Sequence, residues 1–165
     1  MDKNGIKGVS LILLFFILDY FSKSYIASNL PLNSSIEVIK GFFNIVHIRN
    51  AGIAFGVFAH LPPSIRLIAL GGISIVVFVV VLYLILRGKD RNWLYIVSLA
   101  FLGGGDLGNL YDRIFKGYVV DFLDFHIGNY HYPAFNLADT FITVGIFLLF
   151  VYKFLPAFSK TETKS

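Results

Sequence analysis

Apolar residues dominate four stretches of this chain: Val9 to Ile26, Ile65 to Leu86, Trp93 to Tyr111 and Ala138 to Leu155. Each approaches the roughly 20 residues a helix needs to cross the hydrocarbon of a bilayer. Ile65 to Leu86 is broken only by Arg66 at its lip, whereas the first stretch admits Asp19 and Lys23, the third Asp106 and Asn109, and the fourth Asp139. The first also has the outline of a signal peptide, with Lys3 and Lys7 ahead of a short apolar core. No small-x-small cleavage pattern closes that core, and Asp19 and Lys23 have the i,i+4 spacing of an intrahelical ion pair, so a retained helix is the expectation. Between the first two stretches, "SSIEVIKGFFNIVHIRNAGIAFGVF" sets β-branched and aromatic residues between Gly41, Gly52 and Gly56, the pattern of a small sheet lying on the membrane surface. The expected fold is an α-helical polytopic membrane protein with four transmembrane helices. Residues 1–165 form one membrane domain, with 28–64 as a β-rich insertion and 112–137 as a second loop.

Composition agrees: of 165 residues 56% are hydrophobic and only 15% charged, and the mean hydropathy of +0.74 lies far from that of a water-soluble globule. The absence of cysteine excludes disulfides, a thiol nucleophile, a cysteine-lined metal site and a lipid on the chain's own cysteine. In so apolar a chain, a net charge of +4 reads as topology markers rather than as a nucleic-acid patch. Lys3 and Lys7, then Arg87, Lys89 and Arg91, then Lys153, Lys160 and Lys164 mark three cytoplasmic sites. Both termini then lie inside, and the two longer connections face the opposite side. No internal repeat and no linker to a second domain is visible.

Ionisable groups at membrane depth cost at least a few kcal/mol, so each is a functional hypothesis. With this topology Asp19, Lys23, Asp106, Asn109, Asp112, Arg113, Asp121, Asn136 and Asp139 all fall near one leaflet. In "GGGDLGNLYDR", Gly104 and Gly108 form a small-xxx-small face for close helix packing. Asp106, Asn109 and Arg113 stand at i, i+3 and i+7, one polar stripe that either faces a cavity or satisfies itself between helices. Asn136 and Asp139 have the spacing of a helix capping box. In "GYVVDFLDF", an extended segment can carry Asp121 to the head of the fourth helix, beside Asp139. Two adjoining carboxyls share a proton: the charged one takes a proton from water while the other donates to a carbonyl, as in aspartic peptidases. Which of the two holds the proton is open at this level.

Competing chemistries fit less well. Four histidines include no H-E-x-x-H, and Ser22 and Lys23, as helix neighbours, do not face each other. Gly103 to Asp106 reads G-x-G-D, the string of presenilin-like intramembrane proteases, but their partner tyrosine-aspartate pair lies on an earlier helix, whereas Tyr111 and Asp112 follow on the same one. A small transporter or proton relay would want acids near the bilayer middle and related halves. A scaffold binding through its glycine faces would leave the acid pair unexplained.

Five blocks in order, "LDYFSK" at Leu18, "RNAGIAFG" at Arg49, "GGDLGNLYDR" at Gly104, "VVDF" at Val119 and "PAFNLADT" at Pro133, closely resemble the bacterial lipoprotein signal peptidases, signal peptidase II. The resemblance implies four transmembrane helices with a small periplasmic β-cradle in the bacterial inner membrane. It implies Asp121 and Asp139 as catalytic residues, with Asn50, Asn109, Arg113 and Asn136 contacting substrate or ordering the site. Asp19 and Lys23 would brace the first helix, and Gly52, Gly104 and Gly108 would serve structure. The implied partners are membrane lipids and prolipoproteins, cut just before a diacylglyceryl-modified cysteine by a monomer that needs neither metal nor cofactor. Two residues depart from the family's habit: Tyr20 stands where glutamine is usual, and Asp106 where alanine is usual. The second adds an acid near the site.

Overall fold

The computed structural model of the chain describes residues 2–52, 62–88, 90 and 92–154, and only the backbone of Pro63 and Arg66. The second half of the RNAGIAFG block, Ile53 to Gly56, lies outside the described residues, as do Lys89, Arg91, Leu155, Lys160 and Lys164.

Four helices form from the four apolar stretches: α1 (Lys3–Asn29), α2 (Pro63–Arg87), α3 (Trp93–Lys116) and α4 (Leu137–Phe154). Polar chemistry sets their ends. The Asp2 carboxylate accepts the Gly5 N–H at 2.8 Å and so starts α1 ahead of its apolar core. Asn92 accepts the Leu94 N–H at the head of α3, and Gly117, at φ +76°, turns the chain out of its last turn. Among the described residues, Lys3–Asn29, Leu67–Arg87 and Leu137–Phe154 are long and apolar enough to cross a membrane. Their outward residues, such as Ile68, Val76 and Phe147, are exposed, which suits a lipid solvent.

The remaining helix, α3, is not among those spans; it occupies the middle of the bundle, against α1, α2 and α4. Glycines make that position possible. A Cβ on Gly104 would run into Phe15 of α1, one on Gly105 into the Ala138 carbonyl of α4, and one on Gly108 into the Asp19 carboxylate. From the other side, Gly145 of α4 lies against the backbone of Ser98 and Leu102. Around these contacts Ile12, Val81, Ile85, Leu99 and Ala100 form the buried core. Phe15 stacks on Phe101 at 4.1 Å between ring centres, with Phe141 at 4.9 Å from Phe15.

At one end of the bundle, Lys7 of α1 sits 5.6 Å above the Trp93 ring of α3, and the Tyr152 hydroxyl of α4 bonds Asp90. The opposite end carries a four-stranded antiparallel sheet in the order β1 (Ser35–Ile39), β2 (Phe43–Asn50), β3 (Val119–Ile127), β4 (Tyr130–His131). The sequence pattern assigned a sheet to the first connection and only an extended segment to the second; the two connections in fact build one sheet, with β2 and β3 paired at its centre. An extra residue in β2 lets Ile45 and Ile48 oppose Leu123 and Asp121, a bulge beside the acid. Every residue of β1 is exposed, whereas Val119 to Phe122 are all buried. The first half of β3 therefore behaves as a core strand, held between the sheet and the helix heads.

Because the Gly105 contact is with backbone, it has no flexible end to yield. Gly105→Ala is expected to destabilise the protein by about 1–3 kcal/mol through overpacking. Gly72→Ala in α2, where a Cβ would meet nothing within 4 Å, is expected to be neutral or stabilising by up to about 1 kcal/mol. Thermal unfolding of the purified variants in one detergent measures both.

Candidate active site

The head of α4 is where the polar residues converge. Asn136 and Asp139 form a reciprocal cap: the Asp139 N–H donates to Asn136 Oδ1 at 3.0 Å, and the Asn136 N–H donates to Asp139 Oδ2 at 3.2 Å. The capping reading of this pair is thus correct as local structure, and it does not exhaust the pair. Asn136 is fully buried, and its Nδ2 reaches outward to donate to Asp121 Oδ1 at 2.7 Å. One residue therefore holds both carboxyls, Asp121 through its side chain and Asp139 through its backbone.

Backbone pairing delivers Asp121 to that point. Phe135, the residue before Asn136, exchanges hydrogen bonds with Leu123 of β3, its N–H donating to the Leu123 carbonyl at 3.0 Å and its carbonyl accepting the Leu123 N–H at 2.8 Å. This bridge fixes the register between β3 and the entry to α4, and with it the separation of the acids. From the other edge, Asn50 at the end of β2 donates to Asp121 Oδ2 at 2.9 Å. The Asn50 Oδ1 accepts the Gly52 N–H at 2.8 Å, and Gly52 has φ +90°, a conformation other residues rarely adopt.

Asp121 is 2% exposed. Burial pushes its carboxyl up to about 7, and the Asp139 charge pushes the same way, while the Asn50 and Asn136 donors and the Lys23 charge pull back. Near neutrality this group can hold a proton. Asp139, partly buried, accepts its other bond from Asn109 Nδ2 at 2.8 Å.

Asn109 connects the acids to a charged cluster beneath them. Its Oδ1 accepts Lys23 Nζ at 3.0 Å. The same ammonium lies 2.6 Å from Asp19 Oδ2 and 3.6 Å from Asp112 Oδ2, all three groups being almost wholly buried. Asp19 Oδ1 accepts the Ala138 N–H at 2.8 Å, so α1 supplies a second cap to α4. Asp112 accepts the Val120 N–H at 3.2 Å and pairs with Lys116 at 2.7 Å. Asp19 and Lys23 are expected to brace the first helix; their bonds connect it to both α3 and α4.

The polar stripe of α3 divides. Asn109 turns to α1 and α4, whereas Asp106 and Arg113 turn to Ser74 of α2: Arg113 Nη1 donates to its Oγ at 3.4 Å, and the Ser74 hydroxyl acts on the Asp106 carboxyl. The three residues are not one wall: at 3.6 residues per turn Asn109 lies about 60° round the helix from Asp106 and about 40° from Arg113, enough to turn it to different neighbours. Sequence reasoning passed over Ser74, the lone serine in the longest apolar run, and gave Asp112 no role. Gly104 and Gly108 act as expected of small residues, the latter making room for the Asp19 carboxylate.

A family model described as Signal peptidase (SPase) II matches residues 11–155. The lipoprotein signal peptidase of Syntrophus aciditrophicus is 42% identical over 138 residues, covering 84% of this chain and 86% of that protein. The lipoprotein signal peptidase of Serratia proteamaculans is 38% identical over 161 residues, covering 97% and 94%. A solved structure described as a bacterial membrane enzyme, determined by the in meso method at 2.3 Å resolution, superposes with a TM-score of 0.80 at 30% identity, covering 96% of this chain and 94% of its own.

Removing Lys23 would leave Asp19 a buried anion without its charged partner, while Asp112 keeps Lys116. Lys23→Met is expected to cost about 3–5 kcal/mol, the cost of breaking one side of a buried ion pair. The double variant Lys23→Met with Asp19→Asn is expected to recover part of that loss, since the stranded charge is gone. Chemical denaturation monitored by tryptophan fluorescence compares the two.

Proposed function

This chain belongs to the signal peptidase II family, and we propose that Asp121 and Asp139 are the pair of carboxyls that carries out its reaction. The enzyme removes signal peptides from prolipoproteins. Supporting the assignment of the two acids is a single observation: Asn136 bonds both of them at once, the one by its side-chain amide and the other by its backbone N–H.

In the proposed mechanism Asp121 is protonated and Asp139 charged. Asp139 accepts a proton from a water molecule as its oxygen attacks the scissile carbonyl carbon, and the Asp121 proton passes to the carbonyl oxygen. The tetrahedral adduct then collapses: the carbon–nitrogen bond breaks, the leaving nitrogen takes the proton held by Asp139, and Asp121 recovers its own. Water and the two carboxyls supply every group, so no metal or cofactor enters. Asn50, Asn109 and Asn136 donate their amides to the acids and so order the pair. Arg113 is the remaining charged group of the expected set, and Asp139 is the acid whose charge acts on it most strongly.

The cut falls just before the lipid-bearing cysteine in this reading, because the acids lie at the end of the bundle where the sheet meets the helix heads. A signal peptide crossing the bilayer as a helix would present its exit from the hydrocarbon at that level. We place this end on the periplasmic side of the bacterial inner membrane. Lys3, Lys7, Arg87 and Lys153 then lie at the cytoplasmic end with both termini. α3 counts as the fourth span, its polar groups turned to its three neighbours, and residues 28–64 and 112–137 are the periplasmic insertions of one membrane domain. We read the chain as a monomer whose own asparagines order the acids. A proton relay is disfavoured because the acids share one network at one end of the bundle.

Asp121→Asn and Asp139→Asn are each expected to lower cleavage by about a thousandfold or more, as loss of one member of a catalytic unit does, while unfolding temperatures stay near that of the parent. A gel-shift assay on purified protein with a lipidated prolipoprotein reads this, and full activity in either variant would remove the pair.

The pH dependence has a definite sign. The raised Asp121 carboxyl is protonated below about 7 and loses its proton above it, so kcat/KM is expected to fall as pH rises through about 7. A rate that climbs steadily from pH 7 to 9 would contradict the assignment of the proton to Asp121.

A further inference from the structure

The polar cluster on the α2 side of α3 takes no part in the network that orders the carboxyls. Asp106 and Ser74 are 7% and 6% exposed, in a bundle whose neighbouring surfaces are apolar. Burying an acid and a hydroxyl there is costly unless polar neighbours meet them, and the Ser74 hydroxyl is the neighbour that acts most on the Asp106 carboxyl. Arg113, seven residues after Asp106 on the same helix face, donates to the same hydroxyl at 3.4 Å. Ser74 thus has a guanidinium that donates to its oxygen and an acid beside it that can accept its proton. The acids whose charge acts on Arg113 are Asp139 first, then Asp106, Asp121 and Asp112. The guanidinium is thus bonded to Ser74 and lies within electrostatic reach of both Asp139 and Asp106.

A guanidinium on a long flexible stem does not hold one direction by itself. We propose that Ser74 and Asp106 are positioning residues for the hydrolysis: together they hold Arg113 so that its charge faces Asp139. Ser74 is tied to both charges across the α2–α3 contact, and Asp106 supplies the negative charge that keeps the far side of the guanidinium in place. An alanine at 106 offers neither group, so this chain fixes its arginine by a device that a chain with alanine there lacks. The proposal rests on the reading of Asp121 and Asp139 as the reacting pair. Its effect belongs to the step in which charge moves on Asp139, so it acts on kcat rather than on substrate capture.

Steady-state kinetics of the full-length chain in proteoliposomes, with a lipidated prolipoprotein as substrate, test this. Asp106→Ala and Ser74→Ala are each expected to lower kcat about tenfold, the cost of a misdirected group, with KM unchanged within about twofold. The double variant is expected to be no slower than the worse single one, because both changes release the same arginine. Ser74→Thr, which keeps the hydroxyl, is expected to restore kcat, and Asp106→Ala is expected to have no further effect in an Arg113→Ala background. An unchanged kcat in Asp106→Ala, or the same tenfold loss with Arg113 already removed, would overturn the proposal. Should Asp106→Ala fail to fold, Asp106→Asn takes its place and the same two outcomes decide. Asp121→Asn runs alongside: if it cleaves normally the reading of the acid pair fails, whereas an inactive Asp121→Asn with a fully active Asp106→Ala refutes only the positioning role.

Discussion

A lysine ammonium shut away from water must have its charge met by protein, and that requirement organises this molecule. Lys23 is 1% exposed, and the groups that meet it come from α1 itself, through Asp19, and from α3, through Asn109 and Asp112. Each of those partners has a second bond: Asp19 to the backbone of α4, Asp112 to that of β3, and Asn109 to Asp139. The ammonium is thus one bond removed from β3 and α4, the two elements that carry Asp121 and Asp139. Hydrophobic contact alone does little to align helices whose outer solvent is itself hydrocarbon. A charge that can be satisfied in only one arrangement supplies the alignment instead.

The same logic explains why asparagines surround the carboxyls. An arginine or lysine bonded directly to Asp121 would hold it charged and leave no proton to donate. An amide gives a fixed hydrogen bond without a full positive charge. Asn50 and Asn136 orient the Asp121 oxygens while burial lifts the carboxyl to about 7. Full positive charges are kept one residue away: Lys23 acts on Asp139 through Asn109, and Arg113 stands with Ser74 and Asp106.

Much of this could be read from the letters. The apolar stretches became helices, and their errors lie at the ends, where single polar residues decide: Asp2 extends α1 ahead of Val9, and Gly117 lets α3 run past Tyr111 to Lys116. Asn136 and Asp139 showed their capping spacing, and Asp19 and Lys23 their ion-pair spacing, because both are local along the chain. What the sequence concealed is non-local. Nothing in the spacing says that Leu123 pairs with Phe135, or that Ala138 finds its acceptor in Asp19, 119 residues away. Nor does spacing separate Asn109 from Asp106 and Arg113, whose divergence follows from which neighbours flank α3. Ser74 was invisible for a related reason: a single hydroxyl in an apolar helix can bond its own backbone, and only the acid brought opposite shows that this one does otherwise.

Glycine and charge depend on each other here. A salt bridge between helices at ordinary spacing would need long side chains, which lose more freedom on ordering. Gly104, Gly105 and Gly108 let α1 and α4 approach the backbone of α3 so closely that short side chains suffice: an aspartate of α1 reaches an amide of α4, and an asparagine of α3 reaches an aspartate of α4. Short, buried side chains have few rotamers, so the network holds its atoms to a narrow set of positions. Any residue larger than glycine at 108 would displace the Asp19 carboxylate, and with it the cap on the helix that carries Asp139. Small residues in the middle of the bundle therefore govern the geometry of the acids at its end, although none of them bears a polar side chain.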